Sequence, residues 1–300
     1  MTIVPDVVVV GAVARDIATD DARGWRLGGA AAYASLTLAR LGVCVGLYAG
    51  VDAEAGHADE LTWLTDEGVR LVRCPLDKGP VFDNSRRDIR GEQRWLSRSG
   101  AMTTATLPPA WRRSPSWLLG PVADELGPEW SSVPAPDHHV ALGWQGLLRN
   151  FRRDGLVRPR QPRVNPIVRR ADLVVASVDD LPAGTPIADL RALLNPNGCL
   201  ALTMGSRGGV MMRGRSVLRY RAVPANEEID GTGAGDVFMA GLMAARVLMA
   251  DRWQLERGIR LAAAAAACSV EGSGLAAVPT ASAVAAKLTE RLRANSRAHR

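Results

Sequence analysis

Val7-Val8-Val9-Val10 is an unbroken β-branched run closed by Gly11. Such side chains are stiff at χ1 and suit a pleated surface, and continuous apolarity leaves the run no wet face. A strand like this is covered on both sides, which calls for helices above and below it and for parallel neighbours. The next stretches agree. Residues 30–41 read as a helix ended by Gly42, 43–50 as a second buried strand, and 59–67 as a helix ended by Gly68. Strand–helix alternation predicts a doubly wound α/β fold.

Between residues 69 and 98 the rhythm breaks. Short segments at 70–73, 80–84 and 92–96 alternate polar and apolar positions. That pattern predicts antiparallel strands with one wet face, fit to form a lid over the carboxyl edge of the main sheet. The earlier rhythm returns in strands at 117–122, 139–143, 171–177 and 198–203, then a hairpin over 210–223. The Pro/Arg-rich stretch 157–166 reads as a loop. Helices at 254–269 and 282–294 follow, separated by Gly272-Ser273-Gly274, and the basic tail from Arg291 is expected to fray. No repeat or dividing linker interrupts the 300 residues, which predicts one domain with a β-lid from segments near 12–27 and 69–103.

Composition narrows the class of function. An apolar share of 47% suits a globular chain. No apolar segment approaches the roughly 18 residues of a spanning helix, and the amino terminus lacks the basic start of a signal peptide. A cytoplasmic protein without membrane contact is the expectation. The four cysteines are scattered, with no metal-ligand spacing. The net charge of +6 comes almost wholly from arginine, in short clusters with no interleaved aromatics to stack on bases. A solvated basic surface, not nucleic-acid binding, is the simpler reading.

Chemistry concentrates in Asp230-Gly231-Thr232-Gly233-Ala234-Gly235-Asp236, which leads straight into the apolar run from Val237 to Met243. The glycines let backbone approach a ligand, and the run predicts a helix whose first turn spans 233–236. A helix start presents unpaired N–H groups and a positive dipole end, a suitable seat for phosphate. Asp236 would repel that anion unless it has work to do. Accepting the proton of an attacking hydroxyl while the N–H groups of Gly233, Ala234 and Gly235 hold a transferring phosphate is such work. A sensor that only binds ligand would have no use for that carboxylate. Asp16 lies just past the first strand, at the edge where α/β sheets bind ligands, and could accept hydrogen bonds from a polyol. Gly28-Gly29 opens a helix and would let a ligand touch backbone. Neither lysine stands in a P-loop, and no second glycine follows Gly11 at dinucleotide spacing.

The 230–236 stretch closely resembles the signature of the ribokinase-like (PfkB) carbohydrate kinases, although Gly231 replaces the usual threonine. The resemblance runs along nearly the whole chain. The stretch 11–16 looks like the family's first-strand segment with its substrate-binding acid, and Gly28-Gly29 like its Gly-Gly motif, with Tyr33 where many members carry asparagine. Inositol- and nucleoside-type members share that tyrosine variant.

The resemblance implies a mainly parallel sheet flanked by helices, a β-lid, and transfer of the γ-phosphoryl of ATP to a hydroxyl of a sugar or polyol; a nucleoside or inositol kinase is the alternative. Asp236 would be the base, and Asp16, Gly28, Gly29 and Asn84 would hold the acceptor. Phe82, Arg90, Gln93, Gln145 and Arg149 would shape the pocket. Ser177-Val178-Asp179-Asp180 stands where the family has Asn-x-x-Glu. There Ser177 would serve the nucleotide and Asp180 a magnesium ion through water. The stretch 203–208 resembles the nucleotide turn and 264–274 the adenine side, which implicates Thr203, Gly205, Ser206, Gly208 and Gly272, with Thr232 of the signature beside them. ATP and Mg²⁺ are the implied cofactors, with K⁺ admitted near Asp230. An antiparallel lid with an exposed edge also admits a homodimer paired through it.

Overall fold

The computed structural model describes residues 3–85, 92–249 and 255–298, with side chains to residue 290 in the last segment. Its strands are β1 (Val7–Ala12), β2 (Ala14–Ile17), β3 (Trp25–Gly28), β4 (Val45–Val51), β5 (Arg70–Pro75), β6 (Val81–Asp83), β7 (Gln93–Ser97) and β8 (Ser116–Leu119). They continue with β9 (His139–Gly143), β10 (Arg149–Phe151), β11 (Leu156–Pro159), β12 (Leu173–Ser177), β13 (Cys199–Thr203), β14 (Gly209–Arg213) and β15 (Ser216–Tyr220).

Nine of them form one sheet in the order β15-β14-β13-β12-β9-β8-β1-β4-β5. All neighbours from β13 to β5 are parallel, and the β14–β15 hairpin is added antiparallel at one end. The valine run explains why β1 sits centrally. Val7 and Val9 enter one apolar core and Val8 and Val10 the other, all four fully buried. Burying each is worth about 1.5–3 kcal/mol, so the run fits only between two covered faces.

Helices α1 (Ala30–Arg40) and α2 (Asp59–Asp66) follow β3 and β4; α3 (Pro166–Arg170) and α4 (Ile187–Leu193) flank β12. The chain closes with α5 (Ala234–Leu248), α6 (Leu255–Ser269) and α7 (Ala281–Ala298). Helix α5 packs between α1 and α6 on the face that receives Val7 and Val9. Gly241 of α5 makes this possible, because a Cβ there would lie 2.8 Å from the Ala262 backbone of α6. The alanine stretch in α6 is therefore packing surface. The backbone of α7 remains helical to Ala298, beyond the expected end of that helix.

A second sheet, β10-β11-β7-β6-β2-β3, is antiparallel except at the β2–β6 pair. Two expectations need correction here. Residues 70–75 do not join the lid, because β5 pairs parallel with β4 at the end of the main sheet. As an outermost strand it keeps one side in solvent, and its mixed exposure imitates an antiparallel pattern. The Pro/Arg-rich stretch is also not wholly loop, since β11 pairs with β7 and carries β10 with it.

Ion pairs fasten the second sheet to the first. Arg15 of β2 donates to Asp52, just past β4, at 2.7 Å. Asp124, in the loop after β8, takes Arg160 at 2.6 Å and Arg98 at 3.6 Å, from the ends of β11 and β7. Among the described residues Asp124 is the one non-glycine with positive φ, at 63°.

Candidate active site

A cavity of about 630 Å³ lies between the two sheets and the start of α5. Its lining includes Asp16, Gly29, Asn84, Ser177, Asp180, Thr203, Gly205, Ser206, Gly208, Thr232, Gly233, Ala234, Gly235 and Asp236. Residues scattered over more than 200 sequence positions thus converge. Gly28 and Gly272 are not among the lining residues; Gly272 instead faces Ala277, and a Cβ there would lie 3.0 Å from the Ala277 Cβ. Arg90 lies outside the described residues.

The acceptor half is built on β2 and β6. Asn84 Nδ2 donates to Asp16 Oδ1 at 3.1 Å, and Gln93 Nε2 donates to Asn84 Oδ1 at 2.7 Å. This chain fixes the orientation of both amides toward the carboxylate. Gly28 pairs with Ala14 across β2 and β3, which brings it beside Asp16; a Cβ at position 28 would stand 2.3 Å from Asp16 Oδ2. Gly29 then enters α1 with φ 95°, where a side chain would crowd Ala14 N at 2.9 Å. The Gly-Gly pair therefore makes room for the acid and for the turn.

Gly233 caps α5 in the left-handed conformation, φ 79°, and has a second reason to be glycine. A Cβ there would lie 2.5 Å from the buried ring of Tyr33. Burial first, and then the charges of Asp16, Asp230 and Asp236, push the Tyr33 phenol well above its ordinary range. The first helical amide, Ala234 N–H, makes only a long bond of 3.3 Å to the Gly231 carbonyl. Asp236 sits half-buried in the first turn of α5, at the cavity wall.

Asp230 stands behind this turn. Its Oδ1 accepts from Thr232 N–H at 2.8 Å and its Oδ2 from Ser273 Oγ at 3.1 Å. Burial alone would raise its pKa, but the bonds from Thr232, Ser273 and Gly274 outweigh it and hold the carboxyl below the usual range. Both oxygens are thus committed to the turn and to the loop before α7.

In the donor half, Ser177 and Asp180 form a reciprocal cap at the end of β12. Ser177 Oγ accepts from Asp179 N–H at 3.2 Å, and Asp180 Oδ2 accepts from Ser177 N–H at 2.9 Å. Beyond β13, Gly205 and Gly208 take positive φ, and Met204 N–H closes the turn onto the Gly208 carbonyl at 2.8 Å. Glycine is needed at 208 because a Cβ would run into the Tyr220 carbonyl at 2.1 Å.

Among the described residues no three His, Cys, Asp or Glu side chains gather into a metal cage. Asp179 and Asp180 both face the cavity. One or two carboxylates beside a phosphate seat suit magnesium, which keeps several waters and binds mainly through the phosphates.

One cavity residue, Tyr220, and one buried acid behind the cavity, Glu125, escaped the sequence reading. Tyr220 lines the donor half, stacks on Phe238 at 5.5 Å between ring centroids, and has a buried hydroxyl with no partner among the described residues. Glu125 is 1% exposed and accepts from the N–H groups of Ala12 at 3.0 Å, Val122 at 3.0 Å and Ala123 at 2.7 Å. Burial drives its pKa up while those N–H groups oppose the rise. An isolated Asp-Glu pair after a strand gives no sign that one acid turns inward.

Residues 158–281 match the pfkB family carbohydrate kinase model. Over 89% of its length, and 96% of the other chain, the structure superposes on a pyrophosphate-dependent kinase in the ribokinase family complexed with a pyrophosphate analog and myo-inositol (TM-score 0.73, 18% identity). The chain has the ribokinase fold, and a segment of it matches the pfkB family model. Ribokinase from Arabidopsis thaliana, complexed with ribose and ATP, shares the ribokinase fold over 95% of this chain and 99% of its own (TM-score 0.68, 19% identity). A nucleoside kinase from Methanocaldococcus jannaschii does so over 95% and 98% (TM-score 0.63, 18% identity). No curated protein matches the sequence. Among the described residues no helix is long and apolar enough to cross a membrane.

Proposed function

We propose that the protein is a kinase that transfers the γ-phosphoryl group of ATP to a hydroxyl of a neutral sugar or cyclic polyol. The observation that carries this reading is the meeting in one cavity of Asp236, the Ala234 helix start and the Asp16–Asn84–Gln93 chain. Asp236 accepts the hydroxyl proton as the oxygen attacks. The N–H groups of Gly233, Ala234 and Gly235 receive charge on the transferring group, a contact worth about 3 kcal/mol each in comparable sites. Asp180, with Asp179 beside it, would hold Mg²⁺ through water. That ion, when bound, neutralises phosphate charge. The second sheet covers the acceptor and keeps water from taking its place.

The acceptor half favours hydroxyls over a nucleobase. A base needs a free aromatic face, and the Phe82 ring is already covered by the Arg149 guanidinium at 4.7 Å and by Phe151 at 6.4 Å. A carboxylate and two amides in a row suit adjacent hydroxyls. Relatives in complex with ribose and with myo-inositol are in line with that choice.

The donor half favours a nucleotide over bare pyrophosphate. Val223, Pro224, Ala263, Ala266 and Ala267 give it small apolar walls, a surface that pyrophosphate cannot use. Among the described residues Arg149 is the one arginine in the cavity lining, and it belongs to the acceptor side.

The test is a matrix of pentoses, hexoses, inositols and nucleosides against ATP and pyrophosphate with Mg²⁺, read as phosphorylated product. Turnover of a sugar or polyol with ATP is expected. Product only from nucleosides, or only with pyrophosphate, would replace the corresponding half of the assignment.

A further inference from the structure

Asp180 faces the donor half, yet its orientation is set from the acceptor half. Arg149 opens β10 in the second sheet and is 8% exposed. Its Nη1 donates to the Val122 carbonyl at 2.7 Å and its Nη2 to Gln145 Oε1 at 2.8 Å. A guanidinium can only donate, so the end of Gln145 that meets it must be the oxygen. The amide nitrogen is thereby turned the other way, where it donates to Asp180 Oδ1 at 2.8 Å. An ionised carboxylate can only accept, so both ends of the relay agree on its polarity. The same guanidinium lies over the ring of Phe82, two residues before Asn84, which donates to Asp16.

We propose that Arg149 and Gln145 are positioning residues for phosphoryl transfer, which carry the setting of the acceptor-side sheet to the Asp180 carboxylate on the donor side. The proposal rests on the kinase reading above. Asp180 Oδ2 is already held by Ser177 N–H at 2.9 Å, and Gln145 supplies the second point that stops the carboxylate from turning about that bond. A carboxylate that receives a hydrated cation must present its remaining lone pairs in a fixed direction. Groups that orient such ligands from behind commonly matter by about 10–100-fold. Withdrawal of the second sheet would carry Arg149, which opens β10, away from Gln145 together with Phe82, so an open acceptor site would also leave the donor-side acid loosely set.

The experiment uses the full chain, Mn²⁺–ATP as the probe, and binding measured by calorimetry without acceptor, alongside steady-state kinetics. Gln145→Leu is expected to weaken Mn²⁺–ATP binding about 10-fold and to leave acceptor KM within about 2-fold. Arg149→Lys, which keeps the charge but cannot span both Val122 and Gln145, should fall between wild type and Gln145→Leu. In the Asp180→Asn background Gln145→Leu should cost nothing further, because its effect runs through that carboxylate. A full additive loss there, or an acceptor KM that rises more than the Mn²⁺–ATP constant, would overturn the proposal. If Arg149→Lys does not fold, the Gln145 and Asp180 variants carry the test. A wild-type protein that binds no Mn²⁺–ATP would overturn the reading of ATP as donor, on which the proposal rests. Active wild type with an indistinguishable Gln145→Leu would overturn the relay alone.

Discussion

Gly28 and Asp16 contend for one space: the Cβ that any other residue would place at position 28 falls 2.3 Å from Asp16 Oδ2. The backbone of Gly28 is ordinary strand, so alanine is conformationally allowed there and the clash alone decides. Gly28→Ala should push the Asp16 carboxylate out of line with Asn84. We expect acceptor KM to rise roughly 10–100-fold, the scale of a misplacement near 1 Å, with ATP KM little changed. An equal rise in both constants would show that Asp16 does not serve the acceptor.

Asp236→Asn removes the proposed base and keeps the shape of the helix start. The variant should bind Mg²⁺–ATP as wild type does, while kcat falls by about 10²–10⁴-fold. Near-normal turnover would assign the proton to another group.

Glu125 and Arg149 grip Val122 from opposite ends, one at its N–H and the other at its carbonyl. Glu125→Gln turns one acceptor oxygen into an NH₂ group that faces backbone N–H donors. The variant should lose about 2 kcal/mol of stability, read as a lower urea midpoint. An unchanged midpoint would mean that the loop after β8 finds other partners.

His139 gives stability a pH dependence. Burial first, then the positive charges of Arg246 and Arg170, lower its pKa to about 4, and these outweigh the pull of Asp172. The unfolded chain takes up this proton near pH 6.5, but the folded one does so only near 4. The unfolded state therefore holds more proton between those values, and stability falls on acidification through that window by up to about 1.4 kcal/mol per pH unit. His139→Gln should flatten the slope between pH 6.5 and 4 in urea titrations; an unaltered slope would place the proton elsewhere.

The main sheet could be read from the chain because its signals are local. The valine run of β1 and the apolar run behind Gly233 each announce their element within a few residues. The second sheet could not be read as well, since β10 and β11 are short, half-exposed and arginine-bearing, and only pairing with β7 makes them strands. The site divides likewise. Asp236, Asp16 and the glycines carry backbone or edge-of-sheet signals, whereas the inward turn of Glu125 and the placement of Tyr220 over the donor wall depend on contacts made across the fold.

The second sheet is assembled from strands at 14–28, 81–97 and 149–159, interleaved with pieces of the main sheet. Its pairings of β2 with β6 and of β7 with β11 each close a loop of more than sixty residues. Closing such loops costs chain entropy before any contact repays it. The acceptor cradle is therefore expected to form after the β1–β4 pair, whose partners are much nearer in the chain. In pulse-labelled hydrogen exchange during refolding, the amides of β6 and β7 should gain protection later than those of β1 and β4.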